Sequence, residues 1–276
     1  MSEAYIGLIV GPAAFAAGLA VGSFLNVVIL RGLRGETLGG RSHCDTCGTV
    51  LKAHELIPIV SFIIQRGMCR HCSTTFSIQH PLVEFGTAVA FAIAALIIIS
   101  LVAGNQALLL AVIALPAIAA LIVLIVSDIR FQILPDGAVI VLALAGLAAS
   151  IARGSVLYDL GAALVIALFF ASLWFFSRGT WMGFGDAKLA LATSLAVGFP
   201  ASIAAFLFSF WLGGIVGTLL IATGRKDMQS RIPFGPFLIA GALAAFVWAP
   251  AFFAYTGLSQ FPIFESKSII EHRPTA

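Results

Sequence analysis

Residues 85–127 read FGTAVAFAIAALIIISLVAGNQALLLAVIALPAIAALIVLIVS, 43 positions between Glu84 and Asp128 without one charged side chain. About 20 apolar residues are enough to cross a bilayer as a helix. The run is twice that long, and Gly104-Asn105-Gln106 divides it into spans near 82–103 and 107–127. Working outward, similar stretches lie near 6–30, 136–152, 159–177, 187–199, 201–223 and 235–256. That makes eight. The fourth and sixth are short, and Gly198-Phe199-Pro200 reads as either a turn or a kink, so the range is seven to nine.

The whole chain agrees with its middle. Of 276 residues, 61% are hydrophobic and 10% are charged, where soluble chains average about 25% charged. Disorder, a collagen-like repeat and an ordinary water-soluble fold are excluded. The expected fold is an all-α polytopic membrane protein with about eight transmembrane helices. A net charge of +3 makes no case for nucleic acid. Met1–Leu30 lacks a basic start and has a long apolar run, so it reads as a first transmembrane helix, not a cleavable signal.

Orientation follows from the basic residues of the loops. One side holds Arg31, Arg34, Arg41, Lys52, Arg66, Arg70, Arg130, Arg178, Lys188, Arg225, Lys226 and Arg231. The other holds only Arg153, Lys267 and Arg273. The first side is expected to be cytoplasmic, with both termini outside. The partition is then 1–30 as the first span, 31–81 as a cytoplasmic loop, 82–256 as a transmembrane core and 257–276 as a tail.

All four cysteines lie in that loop. Cys44-Asp45-Thr46-Cys47 and Cys69-Arg70-His71-Cys72 are two C-x2-C knuckles separated by 21 residues. Two-residue spacing lets both thiolates of a knuckle reach one tetrahedral ion, and four thiolates close its shell. A reducing cytoplasm argues against disulfides. A structural Zn2+ on Cys44, Cys47, Cys69 and Cys72 is the expectation, with a redox dithiol pair or unligated thiols as alternatives. His43, His54, His71 and His80 read as solvated loop residues.

Ionisable residues inside a membrane protein suggest function by default. Asp128 ends the uncharged third span, and Asp186 sits in Gly183-Phe184-Gly185-Asp186 between the fifth and sixth. Both fall at expected cytoplasmic helix ends, where packing could bring them together. Two facing carboxylates share a proton and suit aspartic proteolysis: one activates water, the other hydrogen-bonds the scissile carbonyl. The bland alternative is that each caps a helix or pairs with Arg130 or Lys188. Asp136, after Pro135, reads as a helix cap or a group that orients the pair. Which aspartate is base and which is acid stays open.

Taken together, these motifs resemble the bacterial type IV prepilin leader peptidases, also called prepilin peptidase/N-methyltransferases. The resemblance covers almost the whole chain in order. It runs from Gly22-Ser23-Phe24-Leu25-Asn26 through Arg41-Ser42-His43-Cys44, Leu56-Ile57-Pro58, Cys69–Cys72 and Pro81-Leu82-Val83-Glu84. It continues with Asp128…Pro135-Asp136, Gly183-Phe184-Gly185-Asp186 and Ile232-Pro233-Phe234-Gly235-Pro236-Phe237. The last of these opens the eighth span, where a structural role and substrate contact are both open.

The resemblance implies a GxGD-type membrane aspartic peptidase of the bacterial inner membrane, with Asp128 and Asp186 catalytic. Such enzymes cut leaders from type IV prepilins and from the pseudopilins of type II secretion, after a glycine on the cytoplasmic side. Many then methylate the new amino terminus with S-adenosylmethionine. Two departures stand out: Asp45 replaces a proline common after the first cysteine, and Gln79-His80-Pro81 replaces Arg-Tyr-Pro. No Gly-rich turn between a strand and a helix is present, so no residue is assigned to the methyl donor. Arg70 and Glu84 read as loop or interfacial groups, and Gly213-Gly214 with Gly217 as close helix packing. Expected partners are prepilin or pseudopilin substrates and the lipid bilayer. Nothing specifies an oligomeric state. The alternative class is a transporter or channel with a zinc-stabilised regulatory loop, in which Asp128, Asp136 and Asp186 would line an ion path.

Overall fold

The computed structural model describes residues 3–102, 104–225 and 232–258. Lys226, Arg231, Lys267 and Arg273 of the expected charge asymmetry, and the expected tail beyond Leu258, lie outside the described residues. In order, the helices are α1 (Glu3–Arg34), α2 (Val60–Ile64), α3 (Gln79–Leu101), α4 (Asn105–Phe131) and α5 (Asp136–Arg153). Then follow α6 (Val156–Ser177), α7 (Phe184–Val197), α8 (Ala201–Ala222) and α9 (Gly235–Thr256). Extended pairing among the described residues is limited to the isolated bridges His43–Val50 and Met68–Thr75. In hydrocarbon every backbone polar group must be satisfied within its own segment, and the apolar runs meet that demand as helices.

All eight expected spans are helical, but they are not equivalent. Seven are long and apolar enough to cross a membrane. The expected sixth span is α7, with 14 residues. At 1.5 Å per residue it is about 21 Å long, short of the roughly 30 Å hydrocarbon core. Gly198-Phe199-Pro200 ends it, and α8 begins at Ala201, so that break is a turn.

The chain divides into two compact units, Met1–Ser127 and Asp128–Ala276. In the first, α1 packs along α3. Gly22 allows this, because a Cβ there would lie 2.7 Å from Glu84 Cα. Polar groups are paired across the seam: Asn26 Nδ2 donates to His80 O at 3.2 Å, and Gln79 Nε2 donates to Asn26 Oδ1 at 3.4 Å. Glu84, expected to be a loop or interfacial group, is buried and holds the loop instead. Its Oε2 accepts the Ile59 N–H at 2.7 Å. Ile59 has φ 60 and ψ −51, and the Val60 N–H donates to Pro58 O, a γ-turn that a β-branched residue adopts only when its surroundings enforce it.

The second unit is built around its shortest helix. α7 packs against α5, α6, α8 and α9. Asp186, Ala187, Leu189, Ala190, Ala192, Thr193, Ser194, Leu195 and Val197 are buried along it. Lipid tails are as apolar as Leu, so this packing rests on close van der Waals fit and not on expulsion of water. Small side chains on α7 supply that fit.

Candidate active site and metal centre

The candidate metal centre is built from two copies of one turn. In the first, Cys44 N donates to Thr49 O at 3.0 Å and Gly48 N to Cys44 O at 2.9 Å. In the second, Cys69 N donates to Thr74 O at 2.9 Å and Ser73 N to Cys69 O at 2.9 Å. Gly48 and Ser73, each following the second cysteine of its knuckle, have φ 69 and φ 58. The repeat turns the four sulfurs toward one another, all within 4.8 Å. Cys44 Sγ and Cys72 Sγ are 3.8 Å apart. A tetrahedral ion with bonds of about 2.3 Å to sulfur sets its ligands about 3.8 Å apart, so the four cysteines are positioned to bind a metal ion.

Two of the four sit where the thiolate form that ligation needs is favoured, whereas burial and the neighbouring Cys47 and Cys69 push the Cys44 thiol up. The Thr74 hydroxyl, 3.3 Å from Cys72 Sγ, lowers that thiol to about 6, and the Thr49 hydroxyl, 3.4 Å from Cys47 Sγ, lowers Cys47. Cys44 and Cys69 are buried, while Cys47 and Cys72 are exposed. Asp45, which departs from the family's proline, has a specific partner: Arg34 at the end of α1 reaches it with Nη2–Oδ2 at 3.0 Å and Nη1–Oδ1 at 3.3 Å. Arg34 holds the Asp45 carboxyl below the usual carboxylate range. Arg31, one turn earlier, donates to Gly39 O and Arg41 O. The knuckle is thus tied to the membrane helix from which it departs.

In the second unit Asp128 and Asp186 are buried, at 5% and 8% exposure. The charge of Asp128 acts on Asp186, so the two carboxylates belong to one electrostatic site. Each meets the start of a helix. Asp128 Oδ2 accepts the N–H of Gly235, the first residue of α9, at 2.9 Å. Asp186, at the third position of α7, reaches back and accepts the Gly183 N–H at 3.2 Å. A helix N-terminus carries about half a positive charge, and two of them support negative charge here. Capping and membership of the acid pair therefore coincide in Asp186.

Neighbouring residues close the site. Leu134 lies between its two halves: a Cβ on Gly185 would be 3.1 Å from Leu134 Cδ1, and one on Gly235 would be 3.4 Å from Leu134 Cδ2. Phe234 anchors the start of α9 against Phe170, Phe210 and Phe237. Gly213 makes room for the Phe234 ring, which a Cβ at that position would approach to 3.1 Å, whereas Gly214 faces open space.

Asp136 departs from the first of its two expected roles, that of a helix cap. It occupies the first turn of α5, but the helix has no side-chain cap bond. Its Oδ1 instead lies 2.7 Å from Lys188 Nζ, in a pair exposed on both sides. Lys188 is thereby turned toward α5 and over the Phe184 ring. Exposed pairs contribute about 0–1 kcal/mol. Asp136→Asn is therefore expected to change thermal stability by less than about 1 kcal/mol. Its specific activity should stay within about threefold of wild type, measured side by side in detergent. A loss as complete as that of an acid-pair variant would place Asp136 in the chemistry.

The Gly235–Asp128 contact is not legible in the sequence. The segment Ile232–Phe237 reads there as a helix start without a stated partner. Only its Pro-Phe-Gly-Pro pattern, with a glycine where any helix former would serve, signals a close approach.

Comparison with known proteins covers both units. Residues 16–98, which include the four cysteines, match the bacterial peptidase A24 N-terminal domain. Residues 115–218, which include Asp128 and Asp186, match the type IV leader peptidase family. Proteins named prepilin leader peptidase/N-methyltransferase resemble the chain over most of their length. The one from Burkholderia pseudomallei (strain 1026b) is 32% identical over 87% of this chain and 86% of its own. That of Bacillus subtilis (strain 168) is 33% identical over 87% and 95%, and that of Legionella pneumophila 32% over 83% and 88%. No solved structure matches the chain. With relatives of this identity spanning both units, the chain belongs to the type IV leader peptidase family.

Proposed function

We propose that this protein is a membrane aspartic endopeptidase that removes the leader of type IV prepilins or pseudopilins after a glycine, and that it also methylates the new amino terminus. The observation that carries the reading is the pair of buried carboxylates, Asp128 and Asp186, interacting with each other and each accepting a backbone N–H at a helix start. One carboxylate takes a proton from water as the oxygen attacks the scissile carbonyl. The other, protonated, hydrogen-bonds the carbonyl oxygen and then supplies the proton that the leaving amine needs. The roles belong to the pair, because neighbouring carboxylates titrate as one unit.

Excess Lys and Arg in the loops that flank this end of the helices supports its placement on the cytoplasmic side of the inner membrane. Zn2+ is the metal proposed for Cys44, Cys47, Cys69 and Cys72. It would cross-link the two knuckles and take no part in cleavage, because four thiolates leave no open position. S-adenosylmethionine is the proposed methyl donor, which fits the names of the relatives. Among the described residues no glycine-rich strand-to-helix cradle is present, and none is assigned to it.

Purified protein in detergent, mixed with a prepilin and methyl-labelled S-adenosylmethionine, tests the reading. A shortened pilin with label at its new amino terminus is expected. Uncut prepilin, with solute movement only in sealed vesicles, would favour the transporter class. The metal proposal is read separately. Cobalt exchanged into the protein should give the absorption of a tetrahedral four-thiolate site at one ion per chain. Cys69→Ser should weaken binding by about 10-fold or more, since a hydroxyl replaces a buried thiolate. An octahedral spectrum would rule out the four-cysteine site.

A further inference from the structure

Among the described residues of the second unit, Asp159 is the most enclosed charged side chain, with no exposed surface. Its Oδ2 accepts from Ser150 Oγ at 2.7 Å, Ser155 Oγ at 2.8 Å and Arg153 Nη2 at 2.8 Å. Its Oδ1 accepts the Phe199 N–H at 2.8 Å, just beyond α7. Arg153 also donates to Leu195 O at 3.0 Å and Ala196 O at 3.2 Å. These are last-turn carbonyls of α7, which have no partner within their own helix. A guanidinium there also complements the negative end of the helix dipole.

The backbone is shaped around this group. A Cβ on Gly198 would lie 2.7 Å from Arg153 Nη2, and one on Gly146 of α5 would lie 2.7 Å from Ala196 N. Asp186 stands near the other end of α7, ten residues before Ala196, which is about 15 Å along a helix.

We propose that Arg153 and Asp159 are positioning residues that set where α7 sits along its axis, and so where Asp186 stands relative to Asp128. The inference rests on the acid-pair reading above. A helix that spans the bilayer is registered by its own apolar length. α7 is too short for that and is surrounded by other helices, so its level is set by what grips it. The Arg153–Asp159 group grips its tail with bonds from α5 and α6, and the rigid helix carries that position to its head. Misplacing a reacting group by about 1 Å lowers rate by about 100-fold.

The test uses the full-length protein in detergent, with Arg153→Gln, Arg153→Lys and Ser155→Ala. Phe208→Ala, which loosens the α8–α9 seam by removing the ring that meets Phe252, serves as a destabilised control. Arg153→Gln is expected to lower kcat by about 10-fold or more with KM within about twofold. Arg153→Lys should fall between, since an ammonium keeps the charge and loses the fork. Amide exchange in the Phe184–Lys188 turn should quicken by about 10-fold in Arg153→Gln, and stay unchanged in Phe208→Ala. If Arg153→Gln does not fold, Arg153→Lys and Ser155→Ala carry the same comparison.

Quickened exchange confined to Leu195–Phe199 overturns the proposal, as does a kcat loss that Phe208→Ala matches. Cleavage by the wild type and by Asp186→Asn is measured alongside. Should Asp186→Asn cut normally, the peptidase reading of that residue fails, while the exchange measurement still decides whether Arg153 sets the head of α7.

Discussion

Asp186→Asn and Asp128→Asn are each expected to lower leader cleavage by about 1,000-fold or more. The amide keeps the shape and an acceptor oxygen, so the N–H groups of Gly235 and Gly183 each still have a partner. What is lost is the shared proton. An amide can neither take a proton from water nor return one to the leaving amine. Stability should not fall with activity, since each substitution removes an ionisable group buried beside another of the same sign. The double variant should be no worse than either single one, because the two groups act as a unit. Initial rates on one prepilin, with melting curves of the same samples, measure both. An Asp128→Asn protein that is folded and cuts at the wild-type rate would remove Asp128 from the mechanism.

Gly235→Ala is expected to lower kcat by about 100-fold while the protein melts at or above the wild-type temperature. The added Cβ would lie 2.7 Å from Asp128 Oδ2 and 3.2 Å from its Cγ. Something must move, and the start of α9 is the less free to do so, held by Phe234 among Phe170, Phe210 and Phe237. The carboxylate swings away from its donor instead. Alanine is the better helix former, by about 1 kcal/mol in a helix interior, so the fold itself does not suffer. Gly214→Ala, a glycine facing open space on α8, is the matched control and should leave kcat unchanged. Equal losses in the two variants would show that the Gly235 effect has nothing to do with Asp128.

The two sites are legible in the sequence to different depths, for physical reasons. Helix positions follow from local composition: an uncharged run has one stable form in lipid, and the eight apolar runs are eight helices. Gly198-Phe199-Pro200 marks a break after the sixth, but only the packed helices show it to be a turn and not a kink. Cysteine spacing points to the paired knuckles, because the spacing is itself the geometry of the turn, and the gathering of all four sulfurs is what the fold adds. Contacts made across the fold are not legible. Gly235 and Asp128 are 107 positions apart, and nothing local to either announces the other. Arg153 stands in the sequence as an outer-side exception to the charge asymmetry. It is one because it serves α7 and Asp159 instead of orienting the chain. Asp136 reads as a helix cap or an orienting group and is half of an exposed ion pair with Lys188, a partner that only the packing of α5 beside α7 supplies.

The shortness of α7 also governs how its sequence is free to drift. A helix facing lipid accepts almost any apolar side chain on its outer surface, large or small, and rejects polar ones. α7 has protein on nearly every side, and Ala187, Ala190, Ala192, Thr193 and Ser194 fill its contacts. There the tolerance inverts: serine for alanine fits, whereas phenylalanine or isoleucine does not. Among relatives, the outer helices should vary freely in size at constant greasiness. The inner one should vary in polarity at constant volume.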